Sequence, residues 1–167
     1  MATTYEKIAT TTLGSANSTI TFSTIPATYT DLRIVLVAQG NAGNDLWMRY
    51  NGDSGTNYSI TWLQGNGTAA ASFRTTSAAQ LAVGAASGLP TASNWGLLTA
   101  DIFSYAGSTN KTSLSTFADD KNGSGTIEST VGLWRSTAAI TSITLTSSTS
   151  GTFSIGTTAT LYGILKA

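Results

Sequence analysis

The chain has 167 residues, no cysteine and no histidine, and its eight basic and eight acidic groups cancel to zero net charge. The missing cysteine excludes a disulfide scaffold and a thiol nucleophile; the missing histidine removes the Ser-His-Asp triad, and together they remove the usual zinc sites. Charged residues make up only 10% of the chain, so there is no electrostatic case for nucleic acid or an anionic membrane as partner.

A hydrophobic fraction of 41% argues against disorder, and the length is most simply read as one domain over residues 1–167. The longest purely apolar run, Ile34 to Ala38, is far too short to span a membrane. Met1 to Lys7 has no basic region followed by an apolar one, so the expected product is soluble and made in a cytoplasm.

In chain order, Tyr5 to Thr12 predicts a first strand, and Gly14 to Asn17 a turn into Ser18–Ser23, where Ile20 and Phe22 share a face. Ile25-Pro26 ends that run, because proline cannot donate into a ladder. Asp31 to Gln39 is the most apolar strand, with Leu32, Ile34 and Leu36 on one face and Val35 and Val37 on the other. Apolar groups on both faces predict a central strand covered on two sides. Leu46–Tyr50 and Asn57–Leu63 flank a loop, Asn51 to Thr56, built from residues that tolerate positive φ.

From Gly65 to Gly88 the periodicity is weak. Loops with short strands around Phe73 and Leu81-Ala-Val83 are expected, with a helix over 78–86 as the alternative. Gly96–Tyr105 and Lys111–Phe117 read as a hairpin, and Asp119 to Gly125 as a polar loop. Val131 to Ser136 and Thr141 to Thr146 each alternate with period two, and the short link between them predicts a second hairpin. Ala159 to Lys166 closes the chain as a strand. About ten short strands with regular turn signals indicate an all-β, single-domain antiparallel β-sandwich of jelly-roll type.

Catalytic chemistry would have to come from carboxylates. Asp53, Asp101, Asp119, Asp120 and Glu128 offer the pairs a glycosidase needs, but turn-capping and solvated charges explain them as well. Asp120, Asn122 and Ser124, with Gly125, match the first half of a calcium loop, yet the twelfth position is Val131. No metal and no cofactor is expected. Trp47 and Trp62, with loop acids Asp53 and Asp120, are the candidate interaction residues: tryptophans stack on sugars in lectins, and they also dominate cores and subunit contacts.

Several phrases carry a resemblance. They are Tyr5-Glu-Lys-Ile-Ala-Thr-Thr-Thr-Leu-Gly14, Ile25-Pro-Ala-Thr-Tyr-Thr-Asp-Leu32, Tyr50-Asn-Gly-Asp-Ser-Gly-Thr-Asn-Tyr58, Gly132 to Ile143 and Thr160-Leu-Tyr-Gly-Ile164. As a set they resemble small virion proteins of tailed bacteriophages, with Gly65 to Trp95 departing most from the pattern. The resemblance implies a non-enzymatic virion structural protein, a β-sandwich made in the host cytoplasm and shown in many copies as capsid decoration (cement) proteins are. Its partners would be the major capsid protein and copies of itself, as a homotrimer. The alternative is a tail or fibre domain that binds a host-surface glycan.

Overall fold

The structure is a computed structural model and describes residues 4–42, 44–84, 88–91, 93–148 and 150–165. Twelve strands run as β1 (Tyr5–Thr12), β2 (Thr19–Phe22), β3 (Asp31–Ala38), β4 (Leu46–Tyr50), β5 (Tyr58–Gly65) and β6 (Ala70–Ala78). They continue as β7 (Leu81–Gly84), β8 (Gly96–Phe103), β9 (Lys111–Asp119), β10 (Thr126–Trp134), β11 (Ile143–Ser147) and β12 (Thr158–Ile164). One sheet has eight strands in the order β1-β12-β3-β8-β9-β10-β5-β6, and the other has four in the order β2-β11-β4-β7.

The pairing is nested. β1 pairs with β12, β2 with β11, β3 with β8 and β4 with β7, all antiparallel. These eight strands are one long ribbon whose arms alternate between the two sheets, which is the wrapping of a jelly roll. The other four strands are insertions: β5 and β6 fall between β4 and β7, and β9 and β10 between β8 and β11. β9 joins the ribbon at β8, and β10 joins β5, so the insertions extend the large sheet beyond β8.

The core lies between the sheets. Leu32, Ile34 and Leu36 of β3, Leu98 and Ile102 of β8 and Leu161 of β12 are buried against Ile20, Phe22, Met48, Ile143 and Leu145 of the small sheet. Each group comes from alternate positions, as the pleat requires.

Three sequence expectations change. First, β10 and β11 are not a hairpin: they lie in different sheets, and residues 135–142 cross between them. Asn51 holds that crossing. Its Oδ1 accepts from the N–H groups of Thr141 (2.8 Å) and Ser142 (3.1 Å), and its Nδ2 donates to the Ala139 carbonyl (2.8 Å). Period two says which face a residue takes, not which strand it pairs with.

Second, the short strand expected around Phe73 is the nine-residue β6. An edge strand lying past the small sheet leaves most residues of both faces exposed, which is why its alternation is faint. The strand expected at Leu81-Ala-Val83 is β7, where Leu81 and Val83 are buried and Ala82 is not, and it stands in place of the alternative helix over 78–86; residues 85–87 lie outside the described ones. Third, β3 is central but covered on one face alone: Val37 on the other face is 41% exposed.

Candidate functional site

The Asn51 turn also fixes Asp53. Asn51 and Gly52 take positive φ (51° and 66°), and the Asp53 N–H donates to the Tyr50 carbonyl at 2.9 Å. The Asp53 carboxylate then accepts from Trp134 Nε1 (2.7 Å), Asn57 Nδ2 (2.9 Å) and the Gly55 N–H (2.9 Å). These donors, Trp134 first, hold its pKa below the ordinary 3.8. Trp134 is itself core, its ring stacked on Tyr58 and tilted against Tyr50. Asp53 is committed to its own loop and to the seating of Trp134.

Asp120 is likewise a turn residue, accepting from the Gly123 N–H at 3.2 Å. Beside it, Asp119 accepts from the Thr126 N–H (3.2 Å) and meets Lys121 Nζ (3.1 Å). The partial calcium-loop match therefore closes the β9–β10 hairpin. Among the described residues no three His, Cys, Asp or Glu side chains converge as a metal site needs. The remaining acids are dispersed. Asp101 receives two 2.6 Å bonds from Arg33 on the outer face of the large sheet, whereas Glu128 is buried on the inner face and accepts from Thr130 at 3.1 Å.

The structure does bring Trp47 and Trp62 together. The large sheet overhangs the small one at β5 and β6, and the step holds a hollow of about 250 Å³ lined by both tryptophans, Ile60, Thr75, Gln80 and Ala82. Trp62 stacks on Phe73 across the β5–β6 pair, with ring centroids 5.1 Å apart. Arg49 borders the hollow and donates to Gln80 Oε1 at 2.7 Å. Aromatic rings beside amide, hydroxyl and guanidinium groups are the components of a small polar-ligand site.

A larger feature is the outer face of the eight-stranded sheet. Of the eleven most exposed large apolar side chains among the described residues, eight stand there: Tyr5, Val37, Leu63, Leu97, Phe103, Leu114, Ile127 and Val131. The register sets them in rows, with Val37, Leu97, Ala118 and Ile127 as direct cross-strand neighbours on four successive strands. Leu114 and Val131 pair directly on β9 and β10. At the β1–β12 end the same face carries hydroxyl pairs instead, Thr10 with Thr160 (3.1 Å) and Thr12 with Thr158 (2.9 Å).

Strands β9 and β10 mix polar groups with core rings on their inner face. Inward they present Lys111, Ser113, Ser115, Asp119, Thr126, Glu128 and Thr130 beside Phe117 and Trp134, all buried. Lys111 Nζ is held by the carbonyls of Gly107 (2.7 Å) and Thr109, and burial lowers its pKa. Outward they present Leu114, Ala118, Ile127, Val131 and Leu133 with Thr and Ser, and no charged residue. Sequence reasoning missed this surface although the alternation was readable, because an alternating strand does not say which of its faces is the inner one. The chain matches no family model, no curated protein and no solved structure.

Proposed function

We propose that this chain is a non-enzymatic structural protein of a phage virion, made in the host cytoplasm, that decorates the outer capsid surface. The observation that supports this reading is the outer face of the large sheet, which is apolar across β8, β9, β10 and β5 and carries there the single charged side chain Asp101, paired with Arg33. Monomers seldom leave so large an apolar patch bare, and such patches mark contact surfaces. A β-sandwich that packs against the major capsid protein and against its own copies has use for one. The family phrases support the same role. Fold alone does not fix function, so location is the test. Immunogold microscopy of virions carrying the chain should label the head, and the purified chain should bind capsids that lack it. Label confined to the tail, with no capsid binding, would sink the proposal.

A second reading has its own observation. The hollow holding Trp47 and Trp62 suits a host-surface glycan, since sugars stack their apolar faces on indoles and bond their hydroxyls to groups such as Gln80 and Thr75. Binding on a glycan array that disappears in Trp62→Ala would favour it. Equal binding by wild type and variant would remove the hollow from consideration.

A further inference from the structure

The outer face of the large sheet has a specific occupant. We infer that it packs face to face against the same face of a second copy of this chain, across a two-fold axis that brings β9 and β10 of each copy to the centre. The inference rests on the reading above only in taking this face as a working surface.

The first argument is the apolar row that β9 and β10 turn outward. A one-residue shift of register would turn every side chain of a strand to the other face. Such a shift would bury Leu114, Ile127 and Val131 and free Glu128 and Lys111 to water, but it would also expose Phe117 and Trp134, which the observed register keeps in the core. The observed register does the opposite, burying Glu128 and Lys111 while Val131 stands 50% exposed. Phe117 and Trp134 fix this register from the inside, and its cost in an isolated chain is the apolar row left in water. Covering the outer face removes that cost.

The second argument is size. Without the hydroxyl-lined β1 and β12, five strand spacings of about 4.8 Å and about seven residues of about 3.4 Å outline roughly 570 Å². That is close to the smallest share each partner gives to a specific interface. Sheets pack face to face at about 10 Å with interleaved side chains, and the aliphatic and Thr rows of this face supply both ridges and gaps.

The third is charge. On β8, β9, β10 and β5 the only charged outward side chain is Asp101, which Arg33 neutralises at 2.6 Å, and the next charge on this face is Arg74 on the edge strand β6. A neutral face meets its own copy without like-charge repulsion, whereas a charged partner would leave its charges unmatched. Two-fold contact uses one self-complementary patch, but a trimer needs two different ones. The face therefore fits a pair better than the homotrimer that the resemblance implies.

The test is the mass of the full chain in solution, by sedimentation equilibrium and light scattering over micromolar to millimolar concentrations. Wild type should run at twice its 17.2 kDa. Leu114→Lys and Val131→Lys should fall to the single-chain mass, with the dissociation constant raised at least about thirty-fold, the size of one hot-spot loss. Circular dichroism checks that each variant is folded. Leu63→Lys, at a side chain already 62% exposed, is the variant that keeps the fold if the central ones do not. A wild-type monomer at every concentration, a trimer, or a dimer that all three variants retain would each overturn the pairing. A monomer that still binds capsids would overturn the pairing and leave the decoration reading standing; a dimer that binds no capsid would do the reverse.

Discussion

The large sheet has two ends built on opposite rules. At the ribbon end, β1, β12 and β3 put Ala159, Leu161, Ile34 and Leu36 inward and Thr10, Thr12, Thr158 and Thr160 outward, with the hydroxyls bonded to each other. At the inserted end, β9 and β10 put lysine, serines and acids inward beside Phe117 and Trp134, and leucine, isoleucine and valine outward. The ribbon end is finished as a surface for water. The inserted end leaves its apolar row in water, and neighbours bind several of its inner polar groups: Lys111 by loop carbonyls and Asp119 by Lys121 and Thr126. Thus one sheet combines a half lined outside by hydroxyls with a half that is apolar outside.

Changes at the two ends should therefore have different consequences. The largest effect is expected at Gly132 of β10, where an added Cβ would lie 2.7 Å from Leu81 Cδ2 and 2.9 Å from Ser113 Oγ. Leu81 is fully buried in β7. Gly132→Val should cost about 3 kcal/mol in urea unfolding, because it pushes the small sheet off the insertion. A cost below half that would mean that β7 does not rest on β10 as described.

Next comes Asp53. Asp53→Ala leaves the Trp134 indole N–H without its acceptor beside the core, and should cost about 2 kcal/mol, read as a fall in the urea midpoint at pH 7. The same group predicts an acid dependence. Its folded pKa lies below the unfolded 3.8, so its contribution is complete above the unfolded value and is lost as pH falls through the folded one. Asp53→Asn should flatten the stability profile in that acid range. An unchanged profile would mean that other carboxylates carry it.

The smallest effect is expected on the ribbon's outer face. Thr10→Ala removes one hydroxyl of the Thr10–Thr160 pair and should change stability by about 0.5 kcal/mol with no change in association. If Thr10→Ala dissociated the copies, the distinction between the two ends would fail.

The fold class was readable because alternation at Ile20 and Phe22, Leu32 to Leu36, and Ile143 and Leu145 reports which side of each strand is buried. Pairing was not readable. The β10–β11 crossing depends on Asn51, some ninety residues before Thr141, and no local pattern encodes that bond. The full length of β6 around Phe73 was not readable for a different reason: an edge strand exposed on both faces has little alternation to show. Of the candidate residues, Trp47 and Trp62 meet in one hollow, while Asp53 and Asp120 serve their own turns. The outer face escaped sequence reasoning because Val131 and Leu133 look like core until the sheet above β10 is seen to cover Trp134 and Glu128 instead.

Because the chain has no cysteine, a single introduced thiol reports on one place. The most direct test is maleimide labelling of Val131→Cys, with Thr10→Cys as the control at the ribbon end, in the associated protein and in the same protein diluted or unfolded. The account predicts slow labelling at 131 in the associated state, fast labelling once the copies separate, and fast labelling at 10 throughout. Fast labelling at 131 in every state would contradict it, because the inserted face would then be open to water in the working form of the protein.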